Sequence, residues 1–141
     1  MKRIAFSVCA LLMAGVAHAQ LAVGNWVKRE MPQMTMVVEA MGTGYNITYH
    51  VPAPDGKSAT MTLKTAFDGN ETEFLINGKP TGQTYAGKRI DSHHVAGIVK
   101  MDGRTSATTK SELSADGNTI TVENDSAPMG GGKQIEHWDR R

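Results

Sequence analysis

Five Asp-Gly or Asn-Gly pairs punctuate this chain, at Asp55-Gly56, Asp68-Gly69, Asn77-Gly78, Asp102-Gly103 and Asp116-Gly117. Such pairs tolerate positive φ at both central positions of a two-residue turn, the backbone twist that joins antiparallel strands. Gly42-Thr43-Gly44 precedes them, and Asp91-Ser92-His93 and Pro128-Met129-Gly130-Gly131-Gly132 fill the two gaps in the series. The spacing, roughly 9 to 14 residues, is the rhythm of successive hairpins. No window past the N-terminal segment keeps an apolar 3.6-residue period for three turns. The turns divide the chain into about nine strands, within a range of about eight to ten, with one ambiguity around Pro80.

The segments between turns alternate as strands do. Tyr45, Ile47, Tyr49 and Val51 share one face, and Asn46, Thr48 and His50 the other. Ala59, Met61 and Leu63 alternate with Thr60, Thr62 and Lys64, and Ile120 and Val122 with Thr119, Thr121 and Glu123. Thr105 to Ser111 is small and polar but rich in threonine, which suits a weakly buried strand. A meander this long has two exposed edges unless it closes, and closure into an antiparallel up-and-down β-barrel removes them. A sandwich is the alternative, but it needs crossover connections longer than any seen here.

The N-terminus reads as an export signal. Lys2 and Arg3 precede an apolar run from Ile4 to Val16, and Ala17-His18-Ala19 is a small-x-small cleavage site. Residues 1–19 are thus expected to leave, with Gln20 or Leu21 as the new terminus; an uncleaved membrane anchor is the alternative. Cleavage after residue 19 of the 141 leaves a 122-residue domain, 20–141, long enough for a sizeable core. It has no membrane span. The only cysteine, Cys9, departs with the signal, so neither disulfides nor thiol chemistry is expected in a periplasmic or extracellular location. Without Lys2 and Arg3 the chain carries 13 basic and 14 acidic side chains, a net charge of −1, which gives nucleic acid no attraction.

Gly24-x-Trp26 opens the first segment past that site. It resembles the signature of lipocalins and their calycin relatives. The resemblance extends to small secreted bacterial proteins described as lipocalin-like, through the Lys88-Arg89-Ile90-Asp91 turn, the Asp102-Gly103-Arg104 hairpin and the Ser114 to Val122 hairpin. It implies that Trp26 closes one end of a barrel and that Arg140 or Arg141, from the last strand, stacks on the indole, with Gly24 permitting close approach. A full lipocalin carries a helix before its last strand; here that connection is the loop from Pro128 to Lys133. The resemblance also implies a non-catalytic binding protein holding a small apolar or amphipathic molecule. Candidate cavity residues are Met36, Tyr45, Ile47, Tyr49, Met61, Leu63 and Tyr85, with Tyr49 and Tyr85 offering hydroxyls.

Other chemistry lacks a pattern. There is no Gly-x-Ser-x-Gly elbow, and the carboxylates sit mostly in or beside turns, so no enzyme is expected. Gly130-Gly131-Gly132-Lys133 is followed by Gln134 and lacks phosphate-loop spacing. His93-His94 beside Asp91, and Met31, Met34 and Met36, with Met34 and Met36 on one strand face, are the places a metal carrier would use. The simpler readings are a solvated hairpin tip and thioethers filling the barrel; no cofactor or metal is expected. A cell-envelope protein-binding module, acting through a rim loop as inhibitor or assembly factor, is the alternative function, and a periplasmic metal carrier the third.

Overall fold

A computed structural model describes residues 22–141; the expected signal, its cleavage site and Cys9 lie outside the described residues. Ten strands form one closed antiparallel barrel in which every strand pairs with its neighbours in sequence and β1 pairs with β10. They are β1 (Gly24–Lys28), β2 (Thr35–Met41), β3 (Gly44–Pro52), β4 (Ser58–Thr65), β5 (Asp68–Ile76), β6 (Lys79–Arg89), β7 (His94–Met101), β8 (Arg104–Leu113), β9 (Thr119–Asp125) and β10 (Lys133–Arg140). The up-and-down barrel is therefore as expected, and the sandwich is not formed. The connection before β10 holds one turn of 3₁₀-helix, Ala127–Met129. Among the described residues no helix is long and apolar enough to cross a membrane.

Asn77-Gly78 and Asp102-Gly103 form two-residue turns with positive φ at both positions. At Asp55-Gly56 and Asp116-Gly117 only the glycine has positive φ, inside five-residue connections. Two further turns depart from the sequence reading. The β1–β2 connection, Arg29 to Met34, contains no glycine or asparagine and was not signalled. It closes through backbone bonds instead, Met31 N–H to Lys28 O at 3.2 Å and Lys28 N–H to Met34 O at 3.0 Å. Asp68-Gly69 is not a hairpin turn. The chain reverses one step earlier, at Ala66-Phe67, where Phe67 has φ 52°, and Gly69 spends its positive φ on a bulge at the start of β5. The Pro80 ambiguity resolves with Pro80 second in β6, paired with Leu75 beside another register shift.

Strand direction alternates, so the start of β1, the end of β10 and the β2–β3, β4–β5, β6–β7 and β8–β9 turns share one end of the barrel. Trp26 lies at this end and is fully buried, at 0% exposure. Its Nε1–H donates to Ala22 O at 2.9 Å. Arg140, paired with Trp26 across the sheet, places its guanidinium carbon 4.4 Å from the indole centroid. Its nitrogens donate to Gly117 O at 3.0 and 2.9 Å and to Val23 O at 2.8 Å. One cation thus joins β1, β10 and the β8–β9 turn while stacking on the ring. Gly24 makes room for it: at φ +140° an added Cβ would stand 2.7 Å from an Arg140 nitrogen. Arg141 does not stack; its N–H bonds Asn25 O at 2.9 Å.

Ion pairs fasten the seam from outside. Arg29 forks onto Asp139 at 2.9 and 2.7 Å, and His137 Nδ1 meets Glu30 at 2.6 Å. The bond to His137 holds the Glu30 carboxyl down at about 2. These side chains are largely in water, so they fix register more than they add stability.

Candidate functional site

Parity decides which side chains enter the barrel. Register places Met36 opposite Tyr49, Tyr49 opposite Met61 and Ile47 opposite Leu63, so three adjacent strands turn the same set inward. All seven candidate residues, Met36, Tyr45, Ile47, Tyr49, Met61, Leu63 and Tyr85, line a cavity of about 370 Å³ in the barrel. That lies near the lower end of the range of small-molecule sites. Asn46, Thr48 and His50 do not line it, and Val51, on the inward parity, stops short of it.

The remaining walls come from strands whose inward faces the sequence did not single out. Phe74, Val99, Leu113 and Trp138 are buried and line the same cavity. Trp138 meets Tyr49 edge-on at 5.9 Å between centroids, and Phe74 meets Tyr85 at 6.2 Å. The Tyr85 ring lies over a glycine pair. Gly87 and Gly97 face each other across β6 and β7, and a Cβ on Gly87 would stand 2.7 Å from the Tyr85 hydroxyl. Without side chains there, the ring folds flat along the wall and leaves the centre of the barrel open.

The lining is apolar over most of its surface, with polar side chains at Asp91 to His94 and at Gln83, Arg89, Thr109, Ser111, Asn124 and Glu136. Burial first, then the charges of Tyr85 and Glu136, holds the Tyr49 phenol well above its ordinary range. Burial likewise raises Tyr85, partly offset by the Thr109 hydroxyl beside it. Both phenols therefore stay protonated and able to donate at neutral pH. Toward the end of the barrel opposite Trp26, Glu136 accepts from Asn124 Nδ2 and pairs with Lys28 Nζ at 3.3 Å. At the Trp26 end, Arg89 donates to Tyr45 Oη at 3.3 Å and lies 5.9 and 6.0 Å from the Tyr45 and Phe67 ring centroids.

The closed end differs in one respect from the resemblance. In the cyclic strand order β6 stands diametrically opposite β1. A ten-stranded ring is too wide for one indole to cover. Trp26 and Arg140 seal the β1–β10 side, while on the β6–β7 side the lining reaches the exposed residues Arg89, Asp91 and His94.

The places considered for metal look different in three dimensions. His94 Nδ1 is bonded to Asp91 at 2.7 Å, and His93 Nδ1 to Ser92 Oγ at 2.8 Å. Met34 and Met36 both line the cavity, but Met34 belongs to the β1–β2 connection rather than to a strand, and Met31 is exposed. Among the described residues, no group of three or more His, Cys, Asp and Glu could hold a metal ion. No protein-family model matches the chain, and no curated protein matches it closely enough to indicate a family.

Proposed function

We propose that this is an exported, lipocalin-like, non-catalytic binding protein that holds one small apolar or amphipathic molecule inside its barrel. The observation that carries the reading is the cavity of about 370 Å³, walled by Met36, Ile47, Leu63, Phe74 and Trp138 with phenols at Tyr49 and Tyr85. A chiefly apolar space with a few fixed polar groups is the usual form of a small-molecule site. The lipocalin-like assignment is supported by a Gly-x-Trp on the first strand, covered by an arginine from the last.

The test is titration with N-phenylnaphthylamine, an uncharged fluorescent apolar probe. The wild-type protein should bind one equivalent saturably. Ile47→Trp, which pushes an indole into the space between Val38 and Leu63, should weaken binding at least about tenfold while the β circular-dichroism spectrum persists. Equal binding by the variant, or no saturable binding of the probe, would remove the reading. Export has its own check. Protein recovered from the native cell envelope should begin at Gln20 or within a residue or two of it. Recovery of chains beginning at Met1 from the cytoplasm would contradict it.

A further inference from the structure

A guest must reach the cavity from solvent, and exposure along the lining shows where it can. Among the described residues that line the cavity, only Arg89, Asp91 and His94 are exposed. All three belong to the β6–β7 hairpin, at the end of the barrel that holds Trp26. Toward the opposite end the lining is half-buried, at Met34, Met61, Gln83, Asn124 and Glu136. There Glu136 ties β10 to β9 through Asn124 and to β1 through Lys28.

Most of the β6–β7 rim is held by local bonds. Ile90 N–H donates to His94 O at 2.9 Å, and Leu113 N–H to His93 O at 2.8 Å, which fixes the turn against β8. Asp91 accepts from the His93 backbone N–H at 2.9 Å and pairs with His94 Nδ1 at 2.7 Å. Arg89 is fastened less firmly. Its guanidinium reaches toward β3 and the β4–β5 turn, where it meets Tyr45 Oη at 3.3 Å, longer than an ordinary N–H···O bond. It lies 5.9 and 6.0 Å from the Tyr45 and Phe67 ring centroids. Contacts of this kind are weak on an exposed side chain. Exposed rotamers exchange fast, so the guanidinium can swing outward while the backbone stays in place.

We propose that the guest passes in and out beside the β6–β7 hairpin, at the end carrying Trp26, and that Arg89 is the movable side chain of this mouth. Trp26 and Arg140 cap the β1–β10 side of the same end. The ring is thus covered on one side and open on the other. The assignment rests on the binding reading above and gives that same cavity its route.

Rates distinguish a route from a contact. An obstacle on the path changes association and dissociation by the same factor and leaves the affinity unchanged, because it alters neither the free nor the bound state. Stopped-flow mixing with N-phenylnaphthylamine measures both rates. Arg89→Ala, which removes the movable side chain, should raise both about threefold. Past Cys9 the chain has no cysteine. Asp91→Cys and Met129→Cys therefore each place a single thiol on the domain from residue 20 onward, the first at the β6–β7 turn and the second at the opposite end, where Met129 is exposed. Each thiol is coupled to biotin maleimide and capped with streptavidin, and each uncapped variant is measured alongside as its own reference. The cap at Asp91→Cys should slow both rates at least about fivefold. The cap at Met129→Cys should leave both unchanged. Slowing by the Met129 cap alone, by both caps equally or by neither would overturn the route and leave the cavity reading intact. An Arg89→Ala variant with unchanged rates, or with altered affinity and an unchanged association rate, would overturn the role of Arg89. Absence of saturable binding by the uncapped protein would overturn both readings.

Discussion

Trp26→Ala is expected to lower the unfolding free energy by about 3–5 kcal/mol, the range for truncating a large buried aromatic side chain. Three losses combine. The indole is fully buried, so its contacts leave a void. Its bond to Ala22 O disappears, and that bond ties the segment before β1 to the barrel. Arg140 loses the ring beneath its guanidinium, although its bonds to Gly117 O and Val23 O remain. Urea unfolding followed by circular dichroism measures the effect, since Trp138 alone then reports by fluorescence. A loss under about 1 kcal/mol, small for any core truncation, would show that the indole does not close the barrel.

The second large effect is expected from Gly97→Val. Here the cost comes from filling space. A Cβ at this position would fall into the Tyr85 ring and 2.6 Å from Thr109 Oγ1, and valine adds two further carbons. Tyr85 cannot slide across the wall freely, because Phe74 packs against it. Overpacking of this kind costs about 1–3 kcal/mol, and a Tyr85 ring driven off the wall would enter the cavity. Both unfolding free energy and N-phenylnaphthylamine affinity should fall. Gly132→Ala is the control: a Cβ there meets nothing within 4 Å, so a change within about 0.5 kcal/mol is expected. Equal stability of Gly97→Val and Gly132→Ala would show that the glycine pair is not what seats the tyrosine.

Turn chemistry made the architecture legible, because a glycine without a Cβ takes positive φ and a short Asp or Asn before it favours a turn. It failed where the backbone solved the turn without them. The β1–β2 connection closes through main-chain bonds around Pro32, and residue types leave no trace of that. Asp68-Gly69 misled for the converse reason: positive φ serves a bulge as well as a hairpin, and only pairing with β6 distinguishes them.

The cavity divides along similar lines. Tyr45, Ile47, Tyr49, Met61 and Leu63 were readable because β3 and β4 alternate cleanly. Phe74 follows Glu71, Thr72 and Glu73 and looks like part of a wet strand. It faces inward because β5 is bulged and its register shifts. Thr109 lies in a run of small polar residues where either parity looks the same. The opposition of Gly87 and Gly97 is a register fact with no local signature. The face of Trp138 was open as well, until pairing with Lys28 on β1 and Ile120 on β9 turned it inward.

A guest inside the barrel is tested most directly by diffraction from crystals grown with saturating ω-bromodecanoate, whose bromine marks the end of the chain. The expected result is one anomalous bromine peak within the barrel, inside the cavity lined by Ile47, Tyr49, Phe74 and Trp138. A bromine peak on the outer wall, or an interior filled by its own side chains at saturating ligand, would contradict it.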